Sequence, residues 1–148
     1  MPIIDLNAAP GTFADEHQLA ADLASAMRKV EQVPRFRANT AAFIHLLPAH
    51  CLANVDADGT SVRIQVPTNS DALDRDKQLA VVARLTVIVA AAAGDPSMAG
   101  RTWVLLTEAL DGGWGLAGHA STNQELVQAA RAQLAIVPRI VGQAARVD

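Results

Sequence analysis

The sequence is poor in the residues that mark several classes of protein. It contains one cysteine, Cys51, so an internal disulfide framework is excluded. Its formal net charge of −3 supplies no basic patch for nucleic acid or for an anionic membrane surface. Its apolar stretches are interrupted by Arg, Thr and Gly, and none reaches the length of a membrane span. We therefore expect neither nucleic acid nor a membrane as a partner.

The sequence is rich in aliphatic residues. Its apolar fraction is 51%, its aromatic fraction is 3%, and it has no tyrosine. A chain of 148 residues with this composition can bury a sizeable core, and we expect one globular domain, 1–148. Asp5 and Asn7 interrupt the apolar start, so no secretory signal is expected there. We expect a cytoplasmic location.

The first repeat, 2–53, has the pattern of a strand, a helix and a second strand. Residues 2–8 form a short apolar strand that a turn follows. Asp15 is a plausible N-cap for a helix that runs to about Gln32, because the apolar residues in between fall at helical spacing. The apolar stretch 41–48 is short enough to be a strand.

The same pattern returns in a second repeat, 61–120, at an offset of about 59 residues. The strand 61–67 alternates cleanly and puts Arg63 on the side opposite to its valines and isoleucine. A helix is predicted over about 74–93 and a fourth strand over 102–109. The two halves of the chain therefore predict the same local structure.

These repeats predict the architecture. A strand–helix–strand crossover makes two parallel strands, so we predict an α/β (α+β) fold. Its two β-α-β repeats form a four-stranded sheet with two helices on one face. A Gly-rich hairpin is predicted over 110–119 and a C-terminal helix over about 122–137. We expect the apolar segments 43–47 and 103–106 to be interior strands, and other copies of the chain to cover the second sheet face.

Two patterns that could carry chemistry are set aside. "GWGLAG" (113–118) matches the Gly-x-Gly-x-x-Gly dinucleotide pattern, but it comes near the end of the chain and no acid lies about twenty residues on. His45, His50 and Cys51 lie close together, but their spacing fits no zinc pattern. We therefore predict a hairpin at the first pattern, and neither a metal nor a cofactor.

Two other features point to a family. The chain opens on Met-Pro-Ile-Ile, and "LLTEALDGGWGLAG" (105–118) follows at the end of the second repeat. With two β-α-β units of this length, residues 2–120 resemble the tautomerase superfamily. This group includes 4-oxalocrotonate tautomerase (4-OT), cis-3-chloroacrylic acid dehalogenase, malonate semialdehyde decarboxylase and macrophage migration inhibitory factor (MIF). The resemblance implies a fused double unit assembled as a homotrimer, with Pro2 in each active pocket.

The chemistry of such a proline is simple. If Met1 is removed, Pro2 carries a rigid secondary amine, and an ordinary α-amine titrates at roughly 7.7–8.0. An apolar pocket or a nearby arginine disfavours the cation, so the amine can be a general base near neutral pH. If the cation is favoured instead, the same group is a general acid. The alternative is that Pro2 simply starts a strand after Met1.

The resemblance also implies an arginine that grips a substrate carboxylate, and the family commonly places it just before a repeat's helix. The first such loop has no basic residue, and in the second the nearest is Arg75. The family's arginine on the later strand falls at Trp103, with Arg101 two residues before it. Arg63 is another candidate, and Trp114 is either the aromatic that the family's hairpin offers to the pocket or a residue of that hairpin that packs at a subunit interface. Two more arginines precede the second strand: Arg35 and Arg37.

The favoured function is a cofactor-independent tautomerase or isomerase that acts on a small carboxylate, a 2-oxo or enol acid, with Pro2 as the general acid/base. One alternative is a non-catalytic protein that keeps the fold for assembly or ligand binding. Another is a hydratase, dehalogenase or decarboxylase on the same scaffold. The family's dehalogenase histidine and tyrosine fall near Met27 and Leu105, which argues against water addition with halide release.

Overall fold

The structure, a computed structural model, describes residues 2–31 and 39–132. The strands and helices in chain order are β1 (Ile3–Ala8), α1 (Glu16–Glu31), β2 (Ala41–Leu46), β3 (Val62–Asn69), α2 (Arg75–Ala92), β4 (Thr102–Ala109), β5 (Trp114–Leu116) and β6 (His119–Ser121). A third helix, α3, covers 123–132 at the end of the described part. Short 3₁₀ segments occupy Ala49–Cys51 and Pro96–Arg101. Among the described helices, none has both the length and the apolarity that crossing a bilayer requires.

The main sheet has four strands in the order β2-β1-β3-β4. β1 and β2 are parallel, and so are β3 and β4, as the two crossovers predict. The two repeats meet through β1 and β3, which are antiparallel, with Asp5 opposite Gln65. The α/β architecture of two β-α-β repeats is therefore confirmed.

The expectation that the segments 43–47 and 103–106 are interior strands is wrong. These segments belong to β2 and β4, which are the two edge strands of the sheet. Their apolar residues do not all point into the core, since Phe43 and Trp103 are each 50% exposed on the face away from the helices. A high apolar content here reflects a second apolar face, and a sequence pattern does not distinguish that from a central strand.

The core lies between the sheet and the two helices. Alternate residues of β1 and β3, such as Ile4, Leu6 and Ile64, are fully buried, because the period of a strand is two and both helices cover the same face. The opposite face of the sheet, which we call the outer face, carries the remaining residues of the four strands. Its central members are Asp5, Asn7, Phe43, His45, Arg63, Gln65, Trp103 and Leu105.

The helices start where their caps predict. The carboxylate of Asp15 accepts a hydrogen bond from the Gln18 amide (2.8 Å), and that of Asp74 accepts one from the Lys77 amide (2.9 Å). Each bond satisfies an amide of the first turn that has no partner within its helix. The N-cap predicted at Asp15 is thereby confirmed.

The glycine-rich segment forms the predicted hairpin. β5 and β6 are antiparallel, and Ala117 and Gly118, the two residues between them, have φ values of 52° and 78°. Two positive φ values are what a two-residue turn of type I′ requires. The pattern at 113–118 is therefore a hairpin, as predicted, and α3 follows it. The last part of the predicted C-terminal helix, 133–137, lies outside the described residues.

Leu85 provides a test of this packing. It is fully buried between α2 and the sheet, whereas Leu79 of the same helix is 53% exposed. Leu85→Ala should lower the free energy of unfolding by about 2–5 kcal/mol, because it removes buried methyl groups and leaves a cavity. Leu79→Ala, the matched control, should cost less than about 1 kcal/mol in urea unfolding. Equal losses in the two variants would contradict the assignment of the core.

Candidate functional site

Pro2 lies where the strands of the sheet end on one side, which we call the Pro2 end. There β1 and β2 begin and β3 and β4 finish, so this end includes Ala41, Asn69 and Ala109. The opposite ends of the strands, which we call the far end, include the starts of β3 and β4. Pro2 immediately precedes β1, one of the two central strands, and it is buried. A proline at the start of a strand breaks no ladder, because the pairing begins after it.

The pairing of β1 with β3 is short. It covers Asp5, Leu6 and Asn7, with Asp5 facing Gln65, so it ends three residues short of Pro2. Thr68 lies near the end of β3, at the Pro2 end of the sheet. Thr68 is 2% exposed, and its hydroxyl donates a long hydrogen bond to the carbonyl of Thr107 (3.5 Å).

Arg75 is the predicted anchor that lies at the Pro2 end. It is the first residue of α2, which begins after β3 reaches the Pro2 end. Its side chain is exposed and forms no hydrogen bond or ion pair with the described residues. The neighbouring carboxylate does not neutralise it, because Asp74 caps the helix and pairs with Lys77 at 3.0 Å. Hydrogen bonds from the Lys77 amide and ammonium hold the pKa of Asp74 below its usual value.

Arg101 lies at the far end and is held by its own neighbours. Its guanidinium donates to Asp95 Oδ2 (2.6 Å), to Ser97 Oγ (2.7 Å) and to the carbonyl of Thr60 (3.4 Å). Hydrogen bonds from the Ser97 hydroxyl and from Arg101 lower the pKa of Asp95. These bonds tie the 3₁₀ segment before β4 to the start of β3, which is a structural role.

Arg63 also lies toward the far end. It faces Asn7, five residues along β1 from Pro2, which corresponds to about 17 Å at the rise of a strand. Its guanidinium donates to Gln65 Oε1 (2.6 Å), and it stands beside Trp103 of β4. As the alternation predicts, it is exposed on the outer face. One chain therefore does not bring Arg63 or Arg101 together with Pro2.

Trp114 starts the hairpin and is half-buried. It packs against Leu126 and Ala130 of α3, which is a contact within the chain and not at a subunit interface. This unit is joined to the Pro2 end, because Asn69 Nδ2 donates to Asn123 Oδ1 (2.8 Å). The indole therefore lies in a segment that is anchored beside the end of β3.

The outer face combines apolar and polar groups. Phe43, Trp103 and Leu105 are 50%, 50% and 44% exposed. Between them, His45 Nε2 and Asp5 Oδ1 lie 2.8 Å apart, so the exposed histidine ring has a hydrogen-bond partner on β1. An apolar surface of this kind on a sheet is unusual for a protein that stays monomeric.

Three residues at the Pro2 end were missed by sequence reasoning. Arg28, in the last turn of α1, has no hydrogen bond or ion pair with the described residues and borders a cavity of about 200 Å³ with Ser25 and Thr40. Thr68 and Glu108 face each other on β3 and β4. The position of Arg28 could have been predicted from the sequence, since the helix of a crossover ends beside the start of its first strand. Arg35 and Arg37 lie outside the described residues.

No protein-family model matches the sequence, and neither does any curated protein, but solved structures do. Pt0534, in a form inactivated by 2-oxo-3-pentynoate, superposes with a TM-score of 0.72 at 18% identity over 84% of this chain and 98% of its own. A wild-type fused 4-OT described as a symmetric trimer gives 0.67 at 16% identity, with the same two coverages. A member of the cis-3-chloroacrylic acid dehalogenase family gives 0.69 at 17% identity, over 85% and 89% of the two chains. The chain has the tautomerase fold.

The tautomerase fold confirms the architecture that the resemblance implied. Identities of 16–18% extend over most of each chain, so the likeness is one of whole folds and not of one motif. Two residues differ from the pattern that the resemblance implied. Trp103 lies on β4 where an arginine was implied, and Met27, near the implied position of the dehalogenase histidine, is fully buried in the core.

Proposed function

We propose that the protein is a cofactor-independent tautomerase that uses the amine of Pro2 as general acid/base on a small 2-oxo or enol acid. The observation that carries the proposal is the position of Pro2: buried, at the start of a central strand, in a chain with the tautomerase fold. The proposal requires removal of Met1, because Pro2 nitrogen is otherwise a tertiary amide without a basic lone pair.

The reaction needs no other reagent. The Pro2 amine takes the proton from the enol oxygen, or from the carbon next to the carbonyl, and becomes a secondary ammonium. It then returns a proton at the other position, so substrate and product have the same composition and the amine is regenerated. Burial supports this role, because a group shielded from water exchanges the abstracted proton less readily with the solvent.

Arg75 is the proposed anchor for the substrate carboxylate. It shares the Pro2 end and its guanidinium is unpaired among the described residues, whereas Arg101 is held by Asp95. A guanidinium can bind a carboxylate through two parallel hydrogen bonds, which fixes the orientation of the reacting carbon. We propose that Trp114 borders the same pocket, and that Arg63 can reach it only from a neighbouring copy.

A homotrimer is the proposed assembly, and the cytoplasm the proposed location. The exposed apolar side chains of the outer face support assembly, as does the trimer described for a fused 4-OT of the same fold. The inactivation of Pt0534 by 2-oxo-3-pentynoate supports the choice of 2-oxo acids as the substrate class. In that reagent an amine nitrogen can add to the alkyne carbon β to the ketone, and the α carbon takes up a proton, so no group leaves.

The two arginines provide the experiment on binding. Arg75→Ala should lower kcat/KM for the ketonisation of an enol acid by about 10- to 100-fold, mainly through KM, because a charge-assisted hydrogen bond to the carboxylate is lost. Arg101→Ala, the matched control, should leave KM unchanged and reduce the stability of the fold. Loss of enol absorbance follows turnover. A higher KM in Arg101→Ala alone, or no turnover of any enol acid by processed wild-type protein, would contradict the proposal.

A further inference from the structure

We infer that protonation of His45 opposes assembly through the outer face, so that the assembled protein separates into single chains at acid pH. The inference rests on the proposed assembly and not on the proposed chemistry of Pro2. It starts from the distribution of side chains on the outer face. The exposed apolar side chains lie on the two edge strands, Phe43 on β2 and Trp103 and Leu105 on β4. The central strands carry polar residues between them: Asp5, Asn7, Arg63 and Gln65.

His45 already has its partner within one chain. Its Nε2 lies 2.8 Å from Asp5 Oδ1, and the two side chains are 48% and 38% exposed. Because this pair exists before another copy arrives, association does not create its attraction. Association changes the solvation instead. A copy that covers the face removes water from both side chains, and a charged imidazole loses more hydration free energy than a neutral one.

The charges on the outer face can be counted strand by strand. β2 contributes His45, β1 contributes Asp5, β3 contributes Arg63, and the residues of β4 on this face are uncharged. Asn7 faces both His45 and Arg63, so these two side chains lie in one row with Asn7 between them. With a neutral imidazole, the charges of Asp5 and Arg63 cancel. Protonation of His45 therefore leaves each copy with an excess positive charge on this face.

Other charged groups near β2 do not lie on this face. The helix that packs against β2 is α1, and it covers the core side of the sheet, so the sheet separates its charged residues from His45. Beyond the strands at the far end, His50 is exposed, and the carboxylate of Asp58 accepts hydrogen bonds from the amide and the hydroxyl of Thr60 (3.0 and 2.9 Å). Neither is a member of the sheet, so the balance of Asp5, His45 and Arg63 determines the direction of the effect.

In the proposed trimer, copies of this face come together. Each protonated copy brings its excess positive charge into a region from which water is excluded, and the copies repel one another. Assembly therefore releases the proton of His45, and uptake of the proton opposes assembly. By linkage, the trimer is most stable when the imidazole is neutral, and it weakens as the pH falls through the range in which imidazoles titrate, about 8 to 5.

The test is the mass of the assembly at two pH values. Light scattering after gel filtration is measured at about pH 7.5 and about pH 5.5, with circular dichroism as the check on folding. The wild type should give the mass of three chains at the higher pH and of one chain at the lower, with a trimer dissociation constant raised by about 100-fold or more. His45→Gln keeps a donor for Asp5 and stays neutral, so it should remain trimeric at both. His17→Gln, an exposed position on α1, is the matched control and should dissociate as the wild type does.

The outcomes separate this inference from the proposed assembly. A wild type that stays trimeric at the lower pH, or a His45→Gln protein that dissociates there, would overturn the role of His45 and leave the trimer standing. A wild type that is monomeric at both pH values would overturn both. If His45→Gln does not fold, NMR of the wild type decides. The imidazole of His45 should take up its proton only as the trimer is lost, and protonation within an intact trimer would contradict the inference.

Discussion

Replacing Pro2 with alanine is expected to lower kcat/KM for the ketonisation of an enol acid by about 10²–10⁴-fold, the range of a general acid/base. The variant still has an α-amine, but a primary one on a flexible residue, so its lone pair is no longer held in one direction by a ring. The fold should persist, because the sheet pairing begins after this position at Ile3. Initial rates, with circular dichroism as the check on folding, give the measurement.

A matched comparison removes the ambiguity of a terminal substitution. Wild-type protein with a short leader that prevents processing keeps the Pro2 ring and blocks its nitrogen as an amide. It should be as inactive as Pro2→Ala. Wild-type rates in either protein would contradict a catalytic role for Pro2. They would support the alternative that the proline only starts a strand after Met1.

Placing a charge on the outer face should break the assembly. Leu105 is 44% exposed there, beside Gln65 on β3. In the proposed trimer this face is covered by other copies, so Leu105→Glu buries an unpaired carboxylate, which costs several kcal/mol at each interface. We expect light scattering after gel filtration to give the mass of one chain for this variant and three for the wild type.

Val87 provides the control for that experiment. It lies on α2, on the helical side of the molecule, and is 67% exposed, so it matches Leu105 in character but not in location. Val87→Glu should remain trimeric. A wild type that is monomeric, or a Leu105→Glu protein that stays trimeric, would contradict assembly through the outer face.

Much of the fold follows from local patterns in the sequence. The alternation in β3 predicts both the burial of Ile64 and the exposure of Arg63, because a strand has a period of two. The helix predicted over about 74–93 corresponds to α2, which Asp74 caps. The order of the strands in the sheet cannot be predicted from these patterns. Both β2 and β4 are apolar on two faces, one packed in the core and one exposed, so their sequences look like those of central strands.

The candidate site depends on long-range register, which no local pattern contains. The resemblance made Arg101 a candidate anchor and the alternation of β3 made Arg63 one, yet the antiparallel pairing of β1 with β3 puts both away from Pro2. The same pairing brings Gln65 opposite Asp5 from a distance of sixty residues along the chain. A one-residue shift of this register would change which side chains share the Pro2 end.

The most direct test of the central claim, a reactive amine at Pro2, is covalent labelling with 2-oxo-3-pentynoate. Processed protein is incubated with the reagent, digested and analysed by mass spectrometry, beside the same chain with a blocked N-terminus. The account predicts one reagent molecule per processed chain, on the peptide that begins with Pro2, together with loss of activity, and no label on the blocked chain. Labelling of both proteins elsewhere, for example at Cys51, with Pro2 unmodified, would contradict it.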